Sequence, residues 1–93
     1  MKKTPSIDFL LDFTKQYIDG KISELDFRLD FPYELEKRYK SACRENPEYT
    51  ELIYDMLLEE GIYKREKCNC KEFQALIKRQ FEELQDITDG GFL

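Results

Sequence analysis

The side chains of this chain that could do chemistry are its carboxylates and thiols, because it contains no histidine. That absence removes the commonest general base and the commonest metal ligand. None of the carboxylates lies in a recognisable acid/base motif, and there is no glycine-rich phosphate loop or nucleophile–base pair. We therefore expect no catalytic site and predict that the protein is not an enzyme.

One stretch, YIDGKISELDF at residues 17–27, looks like part of an EF-hand calcium loop. If Gly20 takes the sixth position, the first ligand falls on Lys15 and the third on Tyr17. Neither supplies a carboxylate, and Lys15 would put a cation where the metal sits. Asp26, at the twelfth position, is a shorter arm than the bidentate glutamate that such loops prefer. We expect no calcium site, so the stretch needs another explanation.

A second chemical feature is the cysteine pair in "CNC", Cys68 and Cys70. A structural zinc site needs four ligands, whereas this chain offers three thiols and no histidine. Cys43 falls on the apolar side of its predicted helix, where it would fill the core. We predict no metal and no cofactor, with Cys68 and Cys70 as free thiols near a helix start. Lys67 and Lys71 could activate the pair, and a thiol-based redox or metal sensor remains an alternative.

Length and charge narrow the function further. The chain has 93 residues, enough for one domain with one small core, and 41% of them are hydrophobic. The net charge is −5 and the sequence pI is about 4.8. Nucleic-acid binders present a basic surface, so we predict no nucleic-acid partner. An acidic surface favours a basic partner or plain solubility.

The N-terminal residues 1–14 lack an apolar run long enough for a signal peptide, because Asp8 and Asp12 interrupt it. No stretch approaches the length of a membrane span. An odd count of three cysteines fits the cytosol better than a disulfide framework. We therefore expect a cytoplasmic protein that has no membrane partner.

Helix-capping signals predict four main helices. Their starts carry a capping side chain, often followed by proline, and their ends carry glycine. The signals are Thr4-Pro5, Gly20, Ser23 with Asp26, Asn46-Pro47, Gly61, Asn69 or Cys70, and Asp89-Gly90-Gly91. The calcium-like stretch is then a helix stop followed by a helix start. We predict an all-α fold, a compact single-domain bundle of four to five short helices.

Apolar side chains recur on one face of each predicted helix. The faces are Ile7, Leu10, Leu11, Tyr17 and Ile18, then Leu35, Tyr39, Ala42 and Cys43, then Tyr49, Leu52, Ile53, Met56 and Leu57, and finally Phe73, Leu76, Ile77, Phe81 and Leu84. Residues 25–35 are ambiguous because their apolar side chains alternate strictly, as in a strand. Pro32 argues against a central strand but permits an edge strand. We favour a short helix over 24–30, a bend at Pro32 and a second helix to about Arg44.

Acidic and aromatic side chains gather in two places. The first cluster, Glu51, Tyr54, Asp55, Leu58 and Glu59, lies in a stretch, 48–60, that has five acids and no base. A helical wheel turns Tyr54 and Leu58 away from the core face. The second cluster is Asp26, Asp30, Tyr33 and Glu34. An acidic run is often only a solvated face, but tyrosine is frequent at binding hot spots and acids steer basic partners. We predict that the partner-binding surface lies in one or both of these clusters.

The pattern Phe13-x3-Tyr17-Ile18-x-Gly20-Lys21-Ile22-Ser23-x3-Phe27 resembles the opening of the small helical bacterial immunity proteins. These include proteins of the colicin D immunity type and the immunity proteins of contact-dependent growth inhibition systems. The chain is also similar in size and charge to the four-helix immunity proteins of DNase colicins, although it lacks their paired-tyrosine helix. The resemblance implies a toxin inhibitor that caps the basic cleft of a cognate toxin, often a nuclease domain.

On this hypothesis Glu51, Asp55 and Glu59 occupy the positions in the complex where a nucleic-acid backbone would otherwise lie. Tyr54 and Leu58 are then the buried anchors of the interface. Charge steering would give the fast association that a toxin inhibitor needs.

The alternative is a non-enzymatic cytosolic adaptor or small regulator that binds a partner helix. In that case the apolar face of residues 7–18 and the alternating residues 25–35 would be partly exposed and would bind a partner or dimerise. Binding of a basic toxin should weaken with salt, whereas groove binding should not. The sequence permits a monomer or a weak homodimer.

Overall fold

The computed structural model describes residues 4–89. In chain order its elements are α1 (Pro5–Ile18), α2 (Glu24–Glu45), α3 (Pro47–Ile53), a π-helical segment (Tyr54–Glu59), a 3₁₀ segment (Ile62–Lys67) and α4 (Cys70–Asp89). Residues 4–89 contain no strand, which confirms the predicted all-α bundle and rules out the edge strand. The predicted helix stop at Gly90 and Gly91 lies outside the described residues.

The core is one apolar cluster to which every helical element contributes. Its buried hydrophobic members are Ile7, Leu10, Leu11, Tyr17, Phe27, Phe31, Leu35, Ala42, Tyr49, Ile53, Leu57, Leu58, Ile62, Phe73, Ile77 and Leu84. Burying a large apolar side chain contributes about 1.5–3 kcal/mol, so this cluster dominates stability. The remaining members of the predicted faces, such as Leu52 and Phe81, are half-buried at its edge. Within residues 4–89, no helix combines the length and apolarity that a bilayer crossing requires.

The calcium-like stretch forms the connection between α1 and α2. Gly20 has a φ of +80°, and the Gly20 and Lys21 N–H groups donate to the carbonyls of Tyr17 and Gln16 at 3.0 and 2.8 Å. This is the Schellman arrangement, which favours glycine at the left-handed position. Ser23 Oγ then accepts from the Asp26 N–H at 3.1 Å. The predicted helix stop and helix start are both confirmed.

The start of α1 differs from the prediction. Pro5 occupies the first turn as expected, but the Thr4 side chain makes no capping bond to the backbone and donates to the Asp8 carboxylate at 3.0 Å. The Glu45 carboxylate accepts instead from the N–H groups of Ser6 and Ile7, at 2.9 and 3.0 Å. The last residue of α2 therefore caps the first turn of α1.

The predicted division into two helices at Pro32 is wrong, because α2 runs through this residue as one helix of 22 residues. A proline in a helix interior costs about 3 kcal/mol. Three large side chains one turn apart, Phe27, Phe31 and Leu35, are buried on the same face of α2. Their burial, at about 1.5–3 kcal/mol each, outweighs that cost and keeps the helix continuous.

The segment after α3 also departs from the predicted regular helix. Asn46 Oδ1 accepts from the Tyr49 N–H at 3.1 Å, so the start is as expected. At Tyr54 the chain becomes π-helical, with the Glu60 N–H donating to the Asp55 carbonyl at 2.8 Å. The wider turn brings two consecutive leucines, Leu57 and Leu58, into the core.

Gly61 ends the π-helical segment at a crowded point. A Cβ at this position would clash with the Leu57 carbonyl oxygen and lie 2.9 Å from Ile77 Cδ1. The basic connector expected after it forms the 3₁₀ segment. Asn69 and Glu72 then cap α4 reciprocally, each accepting from the other's N–H group, at 2.8 and 2.9 Å.

Candidate partner-binding surface

A groove lies between α2 and the π-helical segment. Its walls are Pro32, Leu35, Glu36, Tyr39, Tyr54, Leu58 and Tyr63, and we call it the tyrosine groove. It encloses about 240 Å³. Small-molecule pockets typically measure roughly 300–1,000 Å³. The groove is therefore large enough for one side chain of a partner.

The three tyrosines of the groove come from three elements. Tyr39 on α2 and Tyr54 on the π-helical segment are both half-buried, and their ring centroids lie 6.2 Å apart. Tyr63, from the 3₁₀ segment, is 60% exposed. Burial raises the pKa of Tyr39, and the nearby charges of Cys43 and Glu51 raise it further.

The first predicted cluster is partly brought together here. Glu51, Asp55 and Glu59 are exposed, as expected. Tyr54 lines the tyrosine groove. The outward orientation predicted for Leu58 is wrong: this side chain is 4% exposed, belongs to the core and contributes to the groove wall. The helical wheel assumed regular α-helical geometry, and the wider π-helical turn rotates Leu58 inward.

The second predicted cluster loses one member. Asp26, Asp30 and Tyr33 are exposed on α2. Glu34 is half-buried, and its carboxylate lies 3.3 Å from Arg38 Nε. That Arg38 guanidinium also lies over the Phe9 ring, 3.7 Å from its centroid. Glu34 thus belongs to an internal contact between α1 and α2 and not to the exposed acidic surface.

An apolar stripe on α2 was predicted only in part: Tyr33 belongs to the second predicted cluster, and exposure of residues 25–35 was expected only under the adaptor alternative. Leu25, Leu29 and Tyr33 are 56%, 64% and 63% exposed, and their spacing of four residues aligns them along the helix. We call them the outer stripe. Asp26 and Asp30 follow at the next positions, so the apolar row has an acidic row beside it. The period of four within residues 25–33 was the available signal, but strict alternation masked it.

Tyr39, Glu36 and Tyr63 were also missed as surface residues. Tyr39 had been assigned to an apolar face, and Tyr63 lay in what looked like a basic connector. Only the three-dimensional packing brings Glu36 and Tyr39 of α2 together with Tyr63 of the 3₁₀ segment, because the two elements are distant in sequence.

The 3₁₀ segment that carries Tyr63 is held by Arg65. Its Nε donates to Glu24 Oε2 at 2.9 Å, its Nη1 to the Cys68 carbonyl at 2.6 Å and its Nη2 to Cys70 Sγ at 3.1 Å. Cys70 is exposed, Cys68 is half-buried, and both are free thiols, as is Cys43. In the part of the chain that is described, no three side chains of the metal-ligating types come close enough to hold an ion.

No protein-family model, curated protein or solved structure matches this chain. The likeness to immunity proteins therefore rests on the pattern in residues 13–27. A functional assignment has to come from the surface itself.

Proposed function

We propose that the protein is an immunity protein, a cytoplasmic inhibitor that binds and blocks a basic toxin domain such as a nuclease. The observation that carries the proposal is where the exposed hydrophobic side chains lie. Of the five large ones in residues 4–89, Leu25, Leu29 and Tyr33 form the outer stripe and Tyr63 borders the tyrosine groove. Grouped exposed apolar side chains mark interaction sites, whereas a merely solvated acidic face would not group them.

The charges around this surface suit a basic partner. Asp26 and Asp30 lie beside the outer stripe, and Glu36 lines the groove. Glu51, on α3, and Asp55, on the π-helical segment, flank Tyr54 in the sequence. None of these five carboxylates takes part in the ion pairs formed within residues 4–89. Their charge is therefore available to steer a cationic cleft into contact and to speed association.

The mode of inhibition that this surface supports is occlusion. The Tyr54 ring packs against Tyr39 on one side. Glu51 and Asp55 would occupy the positions at which the toxin binds the phosphate groups of its nucleic-acid substrate. Buried tyrosines surrounded by polar groups are typical binding hot spots. No catalysis by the inhibitor is needed, because covering the cleft is sufficient.

One observation favours the alternative function, an adaptor that binds a partner helix. The outer stripe has the spacing with which a helix enters a partner's groove or pairs with a second copy. The apolar face of residues 7–18 no longer supports it, because Ile7, Leu10 and Leu11 are buried in the core. Salt separates the two functions, since an apolar contact is insensitive to ionic strength.

Titration calorimetry against the C-terminal domain of the protein encoded immediately upstream, at two salt concentrations, tests the proposal. We expect tight one-to-one binding that weakens as salt rises. A variant with Tyr54→Ala and Asp55→Asn should lose about 2 kcal/mol or more of binding free energy. Glu83→Gln, an exposed charge change on α4, is the control and should bind normally. Absence of binding at both salt concentrations would overturn the proposed function.

A further inference from the structure

We infer that the tyrosine groove is a receptor for one arginine side chain of the partner. The inference deepens the proposed function and rests on it, because it names the group through which a basic toxin would be recognised. It follows from the size of the groove, the arrangement of its rings and the sign of its charge.

The aromatic rings provide the first argument. Tyr39 and Tyr54 are tilted by 53° with centroids 6.2 Å apart, and Tyr63 adds a third ring at the exposed side. A cation within about 6 Å of a ring centroid is attracted to the face of that ring. A guanidinium is flat, so it can stack on one ring while its edge meets another.

The remaining lining provides the second argument. Pro32, Leu35 and Leu58 are apolar and suit the methylene stem of a long cationic side chain. Glu36 supplies a carboxylate that can accept a bidentate guanidinium contact. Among residues 4–89, no lysine or arginine lines the groove, so none of these side chains fills the position that a partner's cation would take.

Other occupants fit less well. An anion such as a phosphate would meet the charge of Glu36 and of Glu51, which is close enough to influence Tyr39. A neutral apolar side chain would desolvate Glu36 without pairing it, which is costly. Lysine carries a compact, strongly hydrated charge that stacks poorly, so arginine is favoured. The chain already shows the same chemistry, with Arg38 lying 3.7 Å from the centroid of the Phe9 ring.

The test is an NMR titration of the free protein with N-acetyl-arginine methylamide, following the tyrosine rings. The matched probe is N-acetyl-citrulline methylamide, which has nearly the same shape and no charge. We expect arginine, and not citrulline, to shift the signals of Tyr39, Tyr54 and Tyr63. Glu36→Gln and Tyr63→Ala should each weaken arginine binding by about tenfold. Equal shifts with citrulline, or wild-type arginine affinity in Glu36→Gln, would overturn the inference.

The same variants separate this inference from the proposed function. Both substituted side chains are exposed, so the variants should fold, and thermal unfolding checks this. If the toxin domain binds both variants as tightly as it binds the wild type, the arginine site is refuted while the inhibitor function stands. If the toxin domain does not bind the wild type but arginine shifts the three tyrosines, the arginine site stands and the inhibitor function fails.

Discussion

Arg65 joins the 3₁₀ segment to the first residue of α2, donating from Nε to Glu24 Oε2 at 2.9 Å. The hydrogen bond to Glu24 is the main reason why the pKa of Arg65 lies above its ordinary value. Through its other two nitrogens the guanidinium fixes Cys68 and Cys70, on both sides of the turn into α4. Tyr63 lies two residues before Arg65, so this contact also sets the position of one wall of the tyrosine groove.

Replacing Arg65 with lysine should loosen the 3₁₀ segment. An ammonium group carries all its donors on one nitrogen, so it cannot span Glu24, the Cys68 carbonyl and Cys70, which Arg65 reaches from three nitrogens. Amide hydrogen exchange in residues 62–67 should become faster, and partner binding through Tyr63 should weaken. Lys67→Arg, an exposed change in the same segment, should leave both measurements unchanged. Equal exchange protection in Arg65→Lys and the wild type would contradict this role.

Replacing Glu45 with glutamine should destabilise the protein by about 0.5–2 kcal/mol. The carboxylate satisfies two N–H groups at the start of α1, and its charge is favourable at a helix N-terminus. An amide offers only one acceptor oxygen and no charge. Urea denaturation measures the difference, and Glu83→Gln, an exposed change far from the N-terminus of α4, is the matched control. If Glu45→Gln and the control unfold at the same urea concentration, the Glu45 cap contributes nothing to the free energy of unfolding.

Two glycine substitutions should be destabilising for different reasons. Gly61→Ala inserts a methyl group against Leu57 and Ile77, which should cost about 1–3 kcal/mol. Gly20→Ala meets no neighbouring atom but strains a left-handed backbone, at about 1–2 kcal/mol. Asparagine tolerates the left-handed backbone, so Gly20→Asn should destabilise the protein less than Gly20→Ala does. At Gly61 the side chain meets neighbouring atoms, so Gly61→Asn should destabilise the protein more than Gly61→Ala does. Chemical denaturation of the four variants tests the pattern, and the same ranking at both positions would refute it.

Stability should fall between about pH 10 and pH 12. Burial, followed by the charge of Glu24, raises the pKa of Tyr17 from 10.0 to about 12. The unfolded chain therefore releases this proton first, so the stabilisation is complete below pH 10 and is lost as pH rises through the folded pKa. Tyr17→Phe should flatten this decline, although the raised pKa of Tyr39 leaves part of it.

Denaturant titrations at several alkaline pH values measure the slope. Tyr33→Phe changes an exposed tyrosine and should keep the wild-type slope. If Tyr17→Phe declines as steeply as the wild type does, Tyr17 is not the group responsible.

The comparison of sequence and structure shows which signals are local. The stop at Gly20 and the starts at Ser23 and Asn46 were predictable, because each depends on a few neighbouring residues. The alternation of apolar side chains in residues 25–35 did not distinguish a strand from a helix, because it fits either one face of a strand or two apolar stripes on a helix. Packing against α1 decides between them, as the stacked rings of Tyr17 and Phe27, 4.7 Å apart, illustrate.

The orientation of Leu58 could not be predicted for the same reason. Its position depends on the π-helical segment, which α4 supports from a distance in sequence: Gln80 Nε2 donates to the Met56 carbonyl at 3.2 Å. The tyrosine groove follows from that geometry, so the candidate site was predictable only in part. Tyr33, Tyr54 and the exposed acids Asp26, Asp30, Glu51, Asp55 and Glu59 were found. Glu36, Tyr39 and Tyr63 were not, and Leu25 and Leu29 were expected at the surface only under the adaptor alternative.

The helices of this bundle pack largely in the order in which they are made. α1 contacts α2, α2 contacts α3, the π-helical segment contacts the 3₁₀ segment, and α4 closes the bundle against α1. Chains whose native contacts are mostly local fold within about microseconds to milliseconds. Synthesis, at about 5–20 residues per second, is far slower. Under the proposed function, the bundle would be competent to bind almost as soon as α4 has left the ribosome, so the supply of inhibitor would be limited by translation.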